Sequence, residues 1–372
     1  MIKISDRSQC CGCSACADAC PHGAIRMQAD GMGFKYPAVD DSKCVDCGIC
    51  DEICAFHRVA EKPAPACEAI RFPELMDRSQ SGGLGFALMR KAILEGYVVY
   101  GAAMGDDFVV RHVRVTSESQ LSPLRLSKYV QSDMTGIPAK VLTDLEAGRK
   151  VLFTGTPCQC AGVASIARDH RRELLLVDII CHGVPSPAVW KSYLEFLEKK
   201  RHKKITRVLF RDPSLGWHNN RETICFGEER LISDEFSYLY YYHLITRPAC
   251  HACPFASLNR PSDITMADYW GVEQALPGFA DDNRGCSLLL THTAAGADFC
   301  MEFPDKCERT KAPIPTDKQP NLYAPSKANK HARSFEKTFI RRGYPAAVRR
   351  FGQYSYINKI DLLIYKVKRR II

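Results

Sequence analysis

At 372 residues the chain is longer than an ordinary single-core domain, so two or three structural units are expected. An apolar share of 46% and a charged share of 25% exclude disorder or coiled coil as the overall description. The net charge of +9 is local: residues 331–372 carry eleven Lys/Arg against Glu336 and Asp361, and the rest of the chain balances, which argues against a nucleic-acid-binding body.

Cysteine is the exception in this composition, at 19 residues, too sparse for a disulfide scaffold yet heavy for a chain of this size. The N-terminus, Met1-Ile2-Lys3-Ile4-Ser5-Asp6, has no apolar signal core, and no run of 18 apolar residues occurs. A reducing cytoplasm is the expected compartment, and there clustered cysteines are more often metal ligands than disulfides.

The first run is Cys10-x2-Cys13-x2-Cys16-x3-Cys20-Pro21 and the second is Cys44-x2-Cys47-x2-Cys50-x3-Cys54-Ala55. Three thiolates in one tight turn reach different irons of a cubane, and the fourth, a short helical step later, points to the other cluster. One 4Fe-4S cluster is therefore assigned to Cys10, Cys13, Cys16 and Cys54, and a second to Cys44, Cys47, Cys50 and Cys20. Zinc is the alternative for Cys-x2-Cys pairs, but two identical four-cysteine runs have no zinc logic. Cys11 breaks the register and reads as a bystander. Between the runs, residues 24–28 and 33–36 read as two short strands around a turn.

After a Pro-rich stretch the pattern alternates helix and strand. Ser79-Gln80-Ser81-Gly82-Gly83 opens a helix stopping at Gly96, and residues 97–101 read as a buried strand. A helix with Ile137, Val141, Leu142 and Leu145 on one face ends at Gly148, before the strand 151–153 and the turn Thr154-Gly155-Thr156-Pro157-Cys158. Strand 174–180, helix 188–199 and strand 205–210 follow, as expected for an α/β domain with a largely parallel sheet. The two Gly-rich turns are candidate diphosphate cradles, with ligand-free turn chemistry as the plainer reading. Cys158, Cys181-His182-Gly183 and Cys250-x2-Cys253 lie at two strand ends and one loop that can converge on a third cluster. Cys160 competes with Cys158 for that place. Residues 354–372 set Ile357, Ile360, Ile364, Val367 and Ile371 at helical spacing among basic residues, a stripe suited to self-docking, a partner protein or peripheral membrane contact.

These residues resemble the coenzyme F420 hydrogenase/dehydrogenase beta-subunit family of iron-sulfur flavoproteins. The likeness is carried by Ser79–Gly83, Ser127-Lys128-Tyr129-Val130-Gln131-Ser132, Thr154–Gln159, Cys181-His182-Gly183, Cys250-x2-Cys253, Ser262–Gly271 and Gly285-Cys286-Ser287-Leu288, in the family's order. Ala267 departs from the family, which usually has glycine there. The resemblance implies a flavin, FAD with FMN as the alternative, bound by Ser81, Gly82, Gly83, Lys128, Tyr129, Thr154, Gly155 and Thr156. It also implies a third 4Fe-4S cluster on Cys158, Cys181, Cys250 and Cys253. Lys128 beside a flavin would favour the anionic reduced form, the bland alternative being a surface lysine. Asp268 is a candidate at the substrate face, a structural aspartate being the commoner fate.

The expected architecture is α/β, α+β overall: a ferredoxin-like domain (1–57), a linker (58–75), a flavin domain with a mostly parallel sheet (76–330) and a basic tail (331–372). The implied function is an oxidoreductase relaying electrons between clusters and a flavin that exchanges hydride with a deazaflavin coenzyme or a small organic substrate. Ferredoxin or the deazaflavin would be the redox partner, and the family is often associated with cell-surface polysaccharide biosynthesis. The alternative is a non-enzymatic electron-transfer subunit of a larger complex.

Overall fold

The computed structural model describes residues 2, 4, 6–57, 63–276, 279, 282–355 and 357. At the N-terminus, strands β1 (Ile25–Ala29) and β2 (Lys35–Val39) pair antiparallel with Ile25 opposite Val39. Asp30 makes their turn: its Oδ1 accepts from the amides of Met32 and Phe34, at 2.9 and 3.0 Å. Helices α1 (Ala15–Asp18) and α2 (Ile49–Glu52) complete this module, and Ile25, Ile53, Cys16 and Cys50 form its small core.

The large domain is built on an eight-stranded sheet. Its strands are β3 (Ala66–Arg71), β4 (Val98–Met104), β5 (Val110–Val115), β6 (Val151–Gly155), β7 (Leu174–Ile179) and, further along the chain, Ile264–Asp268, Ser287–Thr291 and Glu308–Lys311. Between them, β8 (Arg207–Phe210), β9 (Glu222–Phe226) and β10 (Glu229–Ser233) form a separate antiparallel sheet, so the strand at 205–210 does not extend the large sheet. With the last three strands numbered β11, β12 and β13, the large sheet runs β13-β3-β12-β11-β7-β6-β4-β5. Its centre, β11-β7-β6-β4, is parallel, and antiparallel strands finish both edges. One correction concerns the expected linker: residues 66–71 are β3, hydrogen-bonded between β12 and β13, because Ala69 and Ile70 are fully buried there.

Side chains alternate across the strands, and each face is covered. Helix α3 (Leu84–Leu94) packs Leu84, Ala87 and Leu88 on Val99, Leu152, Leu175 and Val177. Helices α4 (Ile137–Glu146) and α5 (Pro157–Ile166) cover Val98, Tyr100, Val151, Phe153 and Leu176 on the other face. Helix α6 (Pro187–Arg201), started by Ser186 Oγ accepting from the Val189 amide, and α7 (Glu235–Tyr241) pack on the small sheet. Two short helices, α8 (Val272–Ala275) and α9 (Ala294–Phe299), precede α10 (Ala332–Phe351).

Helix α10 breaks at Gly343, φ +76°, and buries Phe335, Phe339, Tyr344, Ala347 and Phe351 in the core around Trp190 and Tyr193. The first half of the basic tail therefore docks on its own domain, with Tyr344 Oη donating to Glu235 at 2.7 Å. Of the apolar stripe beyond it, only Ile357 lies among the described residues.

Candidate functional site

The two N-terminal cysteine runs wrap through glycine-like turns. Ser14 and Gly48, the residues before α1 and α2, take left-handed backbone at φ +68° and +79°. Cys20, Cys44, Cys47 and Cys50 line one open cavity with Pro21 and Ile25. Cys10, Cys13, Cys16 and Cys54 gather as a second group. Burial holds the Cys16 thiol above its ordinary range, and the neighbouring Cys13, Cys10 and Cys54 sulfurs push it the same way. Burial also raises Cys54, to about 11, with Cys13 and Cys10 beside it. The fourth cysteine of each run thus lies with the first three of the other. A zinc ion with bonds of about 2.3 Å needs thiolates about 3.8 Å apart, and among the described residues no three His, Cys, Asp or Glu side chains close on one ion in that way.

A third group forms at the carboxyl ends of β6 and β7, where open parallel sheets place ligands. Thr156 and Gln159 cap α5 reciprocally, which aims Cys158 off its first turn. Cys181 follows β7, and a short turn at Pro248–Ala252 brings in Cys250 and Cys253. All four thiols line one cavity, with Cys11 among them. Burial raises Cys181 and Cys253 to about 12 and holds Cys250 well above the ordinary thiol range. Cys158 is instead lowered to about 7, chiefly by a hydrogen bond from Cys11, whose thiol also reaches Cys13. Cys11 thus stands between the first N-terminal group and the Cys158 group. Cys160, two residues along the helix, points the other way into the sheet core and donates to the Val177 carbonyl at 3.6 Å.

The flavin candidates divide into two places. At Gly82 an added Cβ would lie 2.4 Å from the Ile70 carbonyl oxygen and 2.7 Å from the Ser287 nitrogen. That glycine is required by backbone packing against β3 and β12, and Ser81 Oγ donates to the Cys286 carbonyl at 2.8 Å. Gly83, φ +88°, begins α3 against Phe72 and Leu75. The second place is more polar. The Lys128 ammonium donates to the Arg125 carbonyl at 2.7 Å, and desolvation lowers its pKa to about 7. Among the described residues no carboxylate pairs with it. Its charge is felt by His112, whose Nε2 is 3.0 Å from the Thr154 carbonyl and whose Nδ1 is 2.9 Å from Ser132 Oγ. Gly155 packs on Phe153 and Gln159, and Thr156 Oγ1 lies 3.2 Å from the Cys158 sulfur, so Thr156 belongs to the cysteine cavity. Tyr129 packs edge-on against Phe210 and Tyr241 and tilted against Tyr240.

Asp268 ends β11 with both carboxylate oxygens engaged: Oδ2 takes Arg211 Nη1 at 2.5 Å and Oδ1 takes the Trp217 indole at 2.8 Å. Its geometry is that of an anchor. Arg211, at φ +49°, sits over Trp270, which stacks on Trp217 at 4.6 Å. Tyr269 is fully buried, its hydroxyl on the Pro313 carbonyl, and Ala267 packs with Leu288 in the same core. His251 Nδ1 is 2.8 Å from the Ser326 carbonyl, and His182 is paired with Asn321, so both histidines have structural partners.

Sequence reasoning passed over two buried arginines that line the cysteine cavity, Arg247 and Arg260. The sole local signal was Arg247 lying three residues before Cys250.

Residues 148–314 match the family described as the C terminus of the beta subunit of coenzyme F420 hydrogenase/dehydrogenase. Residues 9–57 match the 4Fe-4S dicluster domain. Among curated proteins, the chain is similar to an uncharacterized ferredoxin of Methanocaldococcus jannaschii, 37% identical over 59 residues, covering 16% of this chain and 75% of that protein. Among solved structures it is similar to a chain of the F420-reducing NiFe hydrogenase complex from Methanosarcina barkeri. That match is 18% identical, with a TM-score of 0.48, over 78% of this chain and 93% of the other. No helix among the described residues is long and apolar enough to cross a membrane.

Proposed function

Because this chain belongs to the coenzyme F420 hydrogenase/dehydrogenase beta-subunit family through residues 148–314 and carries a 4Fe-4S dicluster domain at residues 9–57, we propose that it is a three-cluster flavoprotein oxidoreductase. Two clusters would be held by the eight N-terminal cysteines, as assigned above, and the third by Cys158, Cys181, Cys250 and Cys253. The observation that carries the reading is the convergence of these four thiols, from three separate segments, on one cavity that adjoins the first N-terminal group through Cys11. Iron-sulfur groups supply one-electron transfer, and a flavin couples it to two-electron hydride exchange with a deazaflavin coenzyme or a small organic substrate.

The chain's own residues have defined parts. Pro157, Phe255 and Ala256 shield the third thiol group from water, which matters because solvent exposure sets cluster potential. Lys128 is the residue that fits FAD, or FMN, best: a desolvated ammonium with no carboxylate partner among the described residues suits an anionic ligand at the Thr154 turn. Asp268 acts as a positioning residue, holding Arg211 beside Tyr129. The packed Gly82 offers no such cradle, so Lys128, Tyr129 and Thr154 would hold the flavin. Ferredoxin, the deazaflavin or a further subunit is the expected redox partner, and a role in cell-surface polysaccharide biosynthesis remains part of the proposal.

The test is anaerobic purification with iron, acid-labile sulfide and flavin counted per chain. The reading expects about twelve irons and one flavin, and Cys158→Ser with Cys181→Ser should remove about four irons. About eight irons, no flavin and no change in the double variant would refute it in favour of a non-enzymatic electron-transfer subunit.

A further inference from the structure

Arg247 is fully buried, and among the described residues its oxygen acceptors are all neutral. Its Nε donates to the Cys10 carbonyl at 2.7 Å, Nη1 to the Gln131 side chain at 3.0 Å and Nη2 to the Lys35 carbonyl at 2.8 Å. The same Nη2 lies 3.7 Å from the Cys10 sulfur. The guanidinium lies over the Tyr36 ring, 4.3 Å from its centroid. Gly12, inside the first cysteine run at φ +75°, is what admits it: a Cβ there would lie 2.8 Å from Nη1. Among the described residues no carboxylate pairs with Arg247.

Arg260 gives the contrast. It is equally buried and lines the same cavity, but Asp178 neutralises it at 3.0 Å. An arginine keeps its proton, so Arg247 brings an uncompensated charge into the interior, at a cost that neutral carbonyls alone do not offset. The missing negative charge has an evident place. Arg247 touches the Cys10 thiol on one side and lines the Cys158, Cys181, Cys250 and Cys253 cavity on the other. Four thiolates around a cubane leave a net negative charge, and cluster potential responds to charge and to hydrogen bonds at the sulfurs.

We propose that Arg247 is a positioning residue, the counter-charge set between the Cys10 group and the Cys158 group, which raises the reduction potential of the clusters they hold and so joins the ferredoxin module electrically to the large domain. This rests on the reading that both thiol groups hold clusters. The Cys20, Cys44, Cys47 and Cys50 cavity, which Arg247 does not line, is the internal control.

The experiment is a potentiometric titration of the full, anaerobically purified chain, followed by electron paramagnetic resonance, for wild type, Arg247→Gln and Arg247→Lys. In Arg247→Gln the reduced-to-oxidised ratio of a cluster other than the control should fall about tenfold or more at fixed poise, 59 mV for a one-electron couple. Arg247→Lys should stay within about threefold of wild type, and the control cluster should not move. A Gln variant that titrates like wild type overturns the proposal, as does an equal displacement in both variants, which would make Arg247 a strut. If Arg247→Gln loses iron, the Lys variant decides alone: a ratio displaced beyond threefold overturns the proposal. About eight irons in the wild-type chain would refute the third-cluster reading separately, while the Cys10 cluster would still report on Arg247.

Discussion

Gly162, in the middle of α5, faces the first cysteine run, and replacing it by alanine sets two effects against each other. Alanine in a helix interior is favoured over glycine by about 1 kcal/mol. The new methyl, however, would lie 2.7 Å from both Cβ and Sγ of Cys13 and 3.7 Å from Ala15 Cβ. Overpacking of a buried site costs about 1–3 kcal/mol. Two contacts this short put Gly162→Ala at the upper end, because Cys13 Cβ moves only with its backbone and its sulfur is a proposed ligand. The clash therefore wins, for a net loss of about 1–2 kcal/mol, at about 2–4 °C in melting midpoint per kcal/mol for a domain of some 250 residues. Thermal melting with iron counted per chain is the assay, and reduced iron retention should accompany the lower midpoint. A variant that melts at or above wild type with full iron would refute the reasoning, because Cys13 would then not be pressed on α5.

Acid should destabilise the chain in part through His112. Burial lowers its pKa from 6.5 to about 4, so between those values the unfolded state binds the proton and the folded state does not. The His112 contribution to stability is full above pH 6.5 and falls as pH drops toward 4, by up to about 3 kcal/mol. Denaturant unfolding at pH 7 and pH 4.5 checks this, and His112→Gln should show a shallower pH dependence than wild type. A second prediction concerns Asp178, which pairs with Arg260 and accepts from Thr265 Oγ1 at 2.6 Å. Asp178→Asn should cost about 3–5 kcal/mol, the cost of stranding one buried charge. Asp178→Asn combined with Arg260→Met should recover part of that loss in the same melting assay, and no recovery would contradict it.

Much of the fold was legible because strands and helices announce themselves within a few residues. The helices at 84–94, 137–146 and 187–201 and the strands at 98–104, 151–155 and 174–179 follow their apolar periods closely. β3 was missed because a six-residue segment beside a Pro-rich stretch gives no sign of the two distant strands it joins. The small sheet was misassigned for a related reason. The sequence of β8 reads like any short strand, and only its pairing with β9 removes it from the parallel sheet. Among the site residues, Asp268 reads as a free carboxylate until Arg211 and Trp217, more than fifty residues away, are seen to take both its oxygens.

Spacing alone determined the chemistry of the N-terminal module, since four thiols within eleven residues are constrained by the chain itself wherever it lies. It also determined the alternating helix-strand order of the larger domain, since side-chain periodicity is a property of the local backbone. The meeting of Cys158, Cys181, Cys250 and Cys253, the seat of Cys11 between two thiol groups and the burial of Arg247 with no carboxylate partner among the described residues belong to the tertiary structure. Those three features join segments up to some 240 residues apart, and no local preference encodes which distant surfaces pack together.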